Sequence, residues 1–193
     1  MDSAFGLAGK DFVILVTDSA VAYSIVKLKN TEDKIVNLDE NKLMAMSGES
    51  AYRLQFSDYI ARNIALFKYR NGTPLNTQEC ASFIRSELAY GIRNGPYMVN
   101  CLIAGFDYDQ PQLYWVDYMG TLQKSVKAAH GYAAHFVLST LDNFYKPELT
   151  LQEGIEIMKK CVHELKTRFL ISQQNFVCKI VTKEGFQVYD LEK

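Results

Sequence analysis

Asp11-Phe-Val-Ile-Leu-Val-Thr-Asp18 is the stretch on which the fold turns. Its apolar core, Phe12 to Val16, is rich in β-branched residues, shows no polar alternation and is bounded by carboxylates. That pattern predicts a strand buried on both faces. Outward from it, Ile25-Val-Lys-Leu28, Lys34-Ile-Val-Asn-Leu38 and Leu43-Met-Ala-Met-Ser-Gly48 read as further strands. The polar turn Asp39-Glu-Asn-Lys42 joins the last two as a hairpin. From residue 52 the pattern changes to a helical one: Tyr52, Phe56, Tyr59, Ile60, Ile64 and Phe67 place one apolar stripe inward, and Asn71-Gly-Thr-Pro74 ends it. A second helix starts near Asn76, with Glu79 as its capping-box partner and Phe83, Ile84 and Leu88 as its stripe. Arg93-Asn-Gly-Pro96 stops it.

Strands return at residues 97–106 and 113–118, around the turn Asp107-Tyr-Asp-Gln-Pro111. Helices follow at about 131–145 and from Thr150, where Thr150-Leu-Gln-Glu153 is a capping box. Leu151, Ile155, Met158, Val162, Leu165 and Phe169 then step by four and three. A last hairpin pairs residues 175–181 with 186–189 through Lys183-Glu-Gly185. Helix pairs between groups of strands do not make the alternating βαβ of a doubly wound sheet. They predict an α+β fold: two antiparallel sheets packed together with one helix pair outside each, in a single domain over 1–193.

Composition narrows function by exclusion. The chain has 193 residues, with 21 basic and 22 acidic side chains, a net charge of −1. Its pI near 6.3 lacks the basic footprint of a nucleic-acid binder. The longest apolar run, Phe12 to Val16, is far short of the roughly 20 residues of a membrane span. Cys80, Cys101, Cys161 and Cys178 lack metal-ligand or redox spacing and read as buried, inert thiols. The N-terminus carries no secretory pattern, so Asn71-Gly-Thr73 reads as a turn rather than a glycosylation site. No G-x-S-x-G elbow supports a serine triad. His130 and His135, or Cys161 and His163, have the wrong spacing to place two ligands on one helix face. No cofactor and no metal are expected. One pair stands out: Asp18 closes the buried strand and Lys34 opens a later one. A carboxylate beside a desolvated lysine tunes an amine or orients a nucleophile; the residues alone favour a structural ion pair.

These residues resemble a known family. Phe12-Val-Ile-Leu-Val-Thr-Asp-Ser19, Lys34 and Met46-Ser-Gly-Glu49 before a long helix are similar to the proteasome β-type subunits. Tyr97 to Phe106, Leu113 to Tyr118 and Ala128-Ala-His-Gly-Tyr132 extend the likeness over nearly the whole chain. Leu54-Gln-Phe-Ser-Asp-Tyr-Ile60 and Glu164-Leu-Lys-Thr-Arg168 resemble the members at the fourth place of the eukaryotic β ring. The resemblance implies the four-layer αββα sandwich of N-terminal-nucleophile hydrolases. It implies partners, too: other β and α subunits in a 28-subunit, four-ring particle of the cytoplasm and nucleus. That particle degrades unfolded polypeptides in an ATP- and ubiquitin-dependent way, without nucleic acid or membrane.

Active members use an N-terminal threonine. By resemblance, Asp18 and Lys34 match its supporting aspartate and lysine, and Gly48 the glycine whose N–H holds the oxyanion. The nucleophile position falls on Asp2, with no propeptide expected ahead of it. The serine and aspartate that complete the site fall on His130 and Phe169, while Gly131 and Ser172 match. The resemblance therefore implies a non-catalytic subunit, with Asp18, Lys34 and Gly48 vestigial. The competing readings are an N-terminal-nucleophile amidase processed to expose Ser3, and a homomeric bacterial-type subunit, which without threonine would have no active site.

Overall fold

The computed structural model describes residues 2–23 and 26–191. The chain opens with β1 (Ser3–Ala8), β2 (Phe12–Asp18), β3 (Val21–Tyr23), β4 (Val26–Lys29), β5 (Ile35–Asp39) and β6 (Lys42–Gly48). Two helices follow, α1 (Ser50–Asn71) and α2 (Thr77–Asn94). Next come β7 (Val99–Asp107), β8 (Gln110–Val116), β9 (Leu122–Ser125) and β10 (Lys127–Gly131). The chain ends with α3 (Ala134–Phe144), α4 (Leu151–Arg168), β11 (Phe176–Thr182) and β12 (Gly185–Tyr189).

Every residue of β2 is buried, as its unbroken apolar run requires. It lies at the centre of an antiparallel sheet of order β10-β1-β2-β11-β12, and a second antiparallel sheet runs β5-β6-β7-β8-β9. The alternation of β2 divides its side chains between two layers. Phe12, Ile14 and Val16 pack with Val137, Leu141, Met158 and Leu165 of α3 and α4. Val13 and Leu15 pack against Leu43, Ala45, Leu102 and Ala104 of the facing sheet. A third layer joins that sheet to α1 and α2 through Met44, Met46, Phe56, Ile60, Ile84 and Ile103. The order helix pair, sheet, sheet, helix pair is the expected αββα sandwich. Each fully buried apolar side chain of β2, Phe12 to Val16, contributes about 1.5–3 kcal/mol of transfer free energy.

Four strands, β1, β3, β9 and β10, were not expected. β1 alternates Phe5 and Leu7, which face the helices, with Ala4, Gly6 and Ala8, which face the other sheet. The small residues permit close approach: a Cβ at Gly6 would lie 2.7 Å from a Leu15 methyl. Half its positions therefore carry no apolar signal. β9 and β10 are short and partly polar, and because β10 runs to Gly131, α3 starts at Ala134 rather than 131. The expected strand at 25–28 begins outside the described residues, and β4 covers Val26–Lys29.

The stripe on α1 also differs. Arg53, Phe56, Ser57, Ile60 and Ile64 are buried, while Tyr59 and Phe67 are 41% and 40% exposed. Tyr59 lies one residue, about 100° of helix, off the buried line. Both capping boxes are present: Asn76 accepts from the Glu79 N–H and Thr150 from the Glu153 N–H. The β7–β8 turn places Tyr108 and Asp109 at φ 52° and 59°, the left-handed pair that suits tight antiparallel hairpins.

Candidate functional site

Register brings the sequence-predicted residues to one end of the sandwich. Ser3 pairs with Gly131, Ala4 with Thr17, and Gly48 with Val99, so the start of β1 and the ends of β2, β6 and β10 converge. Lys34 lies beside them, its carbonyl accepting from the Met46 N–H at 3.0 Å. Its side chain is fully buried, and its Nζ lies 2.9 Å from Asp18 Oδ2 and 2.8 Å from Asp2 Oδ1. The other Asp2 oxygen accepts from the Gly48 N–H at 3.0 Å and lies 3.1 Å from Arg53 Nε. Asp2, Asp18, Lys34 and Gly48 thus form one connected cluster.

Asp18 is held from several sides. The backbone N–H of Ser3 donates to its Oδ1 at 2.8 Å and that of Ala20 to its Oδ2 at 3.0 Å. Burial nonetheless raises its pKa above the usual 3.8; Lys34 and the Ser3 N–H offset part of this, and the Asp2 charge adds to it. Arg53 was not anticipated. Its guanidinium also reaches Glu32 at 2.9 Å, the Ser50 hydroxyl at 3.1 Å and the Gly48 carbonyl at 3.2 Å. The sequence did carry a signal for it: a charged residue sits where the stripe of α1 has to be buried, and such a charge requires a partner.

Two glycines fit the backbone around Asp2. Gly131 has φ +71°, and a Cβ there would stand 2.0 Å from the Asp2 carbonyl oxygen. Gly48 has φ +145°, and a Cβ would meet the Met98 carbonyl at 2.2 Å. Side chains at either place would displace the cluster.

Apart from the Ser3 N–H, the remaining sequence-predicted positions lie outside this cluster. His130 stacks on Trp115 with centroids 4.6 Å apart, and its Nε2 is 3.1 Å from the Cys101 carbonyl. Burial drives its pKa down to about 4, so it is neutral near pH 7 and donates to that carbonyl. Phe169 stacks on Tyr132 and packs against Phe136, and its ring has no carboxylate's acid–base capacity. Ser172 is exposed, and its carbonyl accepts from Lys27 Nζ at 3.1 Å. Ser3 is fully buried, its hydroxyl donating to Gln173 Oε1 at 2.8 Å. The four cysteines are buried, and desolvation raises each thiol, to about 12 for Cys80, Cys161 and Cys178.

A second polar cluster occupies the opposite end of the β5–β6 hairpin. Lys42 Nζ lies 3.2 Å from Asp107 Oδ1 and 2.7 Å from Asn41 Oδ1, with Asp39 at 4.0 Å. Asp107 also receives the Thr77 N–H at 2.7 Å and the Thr77 hydroxyl, anchoring the start of α2. Lys68 holds Asp39 at 2.8 Å. An open cleft of about 700 Å³ adjoins these groups, lined by residues such as Asn76, Tyr108 and Lys183.

Comparison with known proteins matches the family described as "Proteasome subunit" over residues 2–181. The chain is 45% identical over 190 residues to "Proteasome subunit beta type-2-B" of Arabidopsis thaliana, covering 98% of this chain and 96% of that one. It is 43% identical over 192 residues to "Proteasome subunit beta type-2" of Dictyostelium discoideum, covering 97% and 96%. With "Proteasome subunit beta type-4" of Saccharomyces cerevisiae it shares 39% over 193 residues, 98% of each chain.

Proposed function

Because the chain belongs to the proteasome subunit family, we propose that it is a structural, non-catalytic β-type subunit of the 20S core particle. Its work is in its faces: it assembles with other β and α subunits into a 28-subunit, four-ring particle and helps wall the chamber in which unfolded polypeptides are cut. Enclosure is the physical logic, since a folded protein cannot reach a site inside a closed ring and an unfolded chain can be threaded to it. The particle acts in ATP- and ubiquitin-dependent degradation in the cytoplasm and nucleus.

One observation carries the non-catalytic reading. The carboxylate of Asp2 touches both Lys34 Nζ and the Gly48 N–H. In the family those two groups serve the attacking hydroxyl and the oxyanion that follows attack. A carboxylate held there has no hydroxyl to deliver, and its negative charge occupies the N–H an oxyanion would need. Without the nucleophile, the rest of a covalent machinery retains little of its rate enhancement. Asp18 and Lys34 then act as a structural pair.

Processing to Ser3 finds no support in the geometry. Its hydroxyl engages Gln173, and adjacent β residues point to opposite faces, so it is turned from the Asp2–Lys34 face. Native mass spectrometry of particles carrying a tagged copy tests assembly: the chain is expected within the core, and a chain that stays monomeric beside complete particles would refute the reading. An electrophilic probe directed at N-terminal threonine tests catalysis in the same particles. Labelling is expected on neighbouring subunits, and a covalent adduct on this chain would show it to be an enzyme.

A further inference from the structure

The groups around Asp2 are arranged as a receptor for a carboxylate. Lys34 Nζ addresses one oxygen at 2.8 Å, while the Gly48 N–H at 3.0 Å and Arg53 Nε at 3.1 Å address the other. Both cationic side chains are withdrawn from solvent, Lys34 fully and Arg53 to 3% exposure. Each is also oriented by a further carboxylate, Lys34 by Asp18 and Arg53 by Glu32. Charged donors fixed by other bonds do not have to be ordered when a ligand arrives, which is the preorganisation expected of a binding site.

From this geometry we infer that the cluster is a small-carboxylate binding pocket whose resident ligand is the chain's own Asp2 side chain, a latch closing the N-terminal strand onto the facing sheet and α1. Asp2 directly precedes β1, so its two oxygens tie that strand to Lys34 at the start of β5, to Gly48 at the end of β6 and to Arg53 in α1. The close fit of Gly131 against the Asp2 carbonyl fixes the backbone while the side chain fills the pocket. Occupancy also closes the pocket to other anions, because the Gly48 N–H is given to an internal carboxylate. The inference rests on Asp2 standing in the nucleophile's place, and it goes further in assigning the pocket a ligand class.

Replacing Asp2 by glycine removes CH₂–COO⁻, which is acetate less one hydrogen, so acetate is the matched probe. Asp2→Gly is expected to melt roughly 4 °C or more below the parent chain. Sodium acetate at about 100 mM should recover a saturable part of that loss, while sodium chloride of equal ionic strength should not. In Asp2→Ala, which retains a methyl, formate should outperform acetate. The parent should respond to neither anion beyond the chloride control, and Arg53→Met placed in the Asp2→Gly background should abolish the response. If Asp2→Gly does not accumulate folded, its refolding yield in acetate against chloride reads the same quantity. Equal behaviour in acetate and chloride, or an acetate response that survives Arg53→Met, would overturn the inference. Entry into particles, scored by native mass spectrometry, is a separate result: loss of the anion effect with assembly intact removes only the latch, and the converse removes only the structural-subunit reading.

Discussion

At each end of the β5–β6 hairpin a buried lysine lies between carboxylates. Lys34, at the start of the hairpin, bridges Asp2, just before β1, and Asp18, the last residue of β2, both strands of the other sheet. Lys42, at the turn, bridges Asp107 and Asp39, which come from its own sheet. The chemistry is the same and the surroundings differ. Around Lys34, burial wins and the Asp18 pKa is raised. Around Lys42, burial also pushes Asp39 upward, but hydrogen bonds from Lys68 and the Glu40 backbone N–H, with the charges of Lys68 and Lys42, outweigh it and the pKa is lowered. A lysine between two aspartates is therefore not a functional signature by itself. What marks the Lys34 end is that one of its carboxylates, Asp2, also accepts from a backbone donor of the facing sheet, the Gly48 N–H.

The sharpest way to break this comparison is to remove each lysine. Lys34→Met strands Asp2 and Asp18 in a desolvated place and should lower unfolding free energy by about 3–5 kcal/mol. Lys42→Met leaves Asp107 bonded to Thr77 and Asp39 bonded to Lys68, and should lower it by about 1–3 kcal/mol. Urea unfolding of both variants checks the order; equal losses would make the two ends equivalent.

His130 supplies the next effect. Its folded pKa, about 4, lies below the ordinary 6.5. Stability is fully present above 6.5 and falls as pH drops toward 4, because the unfolded chain takes up a proton that the folded chain refuses. The loss amounts to at most about 3 kcal/mol. Unfolding titrations between pH 7 and 4 should show a shallower slope in His130→Gln than in the parent.

The two aspartates should then respond to acid with opposite signs. Asp18, raised above 3.8, stabilises most when protonated in both states; its contribution falls as pH rises from 3.8 through its folded value. Asp39, lowered below 3.8, contributes above that value and loses its contribution as pH falls through the folded one. Relative to the parent, Asp39→Asn should lose less stability on acidification and Asp18→Asn should lose more. Same-sign differences would remove the distinction. Smallest of all, Lys68→Ala should barely move the melting temperature, since its ion pairs are partly in solvent.

Particular elements show how far the sequence could be read. β2 was legible because an unbroken apolar run bounded by charge has few alternatives, and α4 because its stripe and capping box agree. β1 was not, since its alternate residues are small for the sake of the facing sheet, which the local pattern does not contain. Asp18 and Lys34 stood out in the sequence as a carboxylate and a lysine at strand ends, while Gly48 and Asp2 were singled out only by the resemblance. Arg53, Glu32 and Gln173 were not found, because their roles depend on partners from 21 to 170 residues away and not on any local period.

Sequence alone determined the element order, the layered αββα class and the side-chain type at residue 2, because hydrophobic period, capping and side-chain type are local properties. Tertiary structure decided what that residue does. Only when β1, β5, β6 and α1 are brought together do Lys34, Gly48 and Arg53 surround Asp2, and only burial makes those charges strong enough to fix its carboxylate.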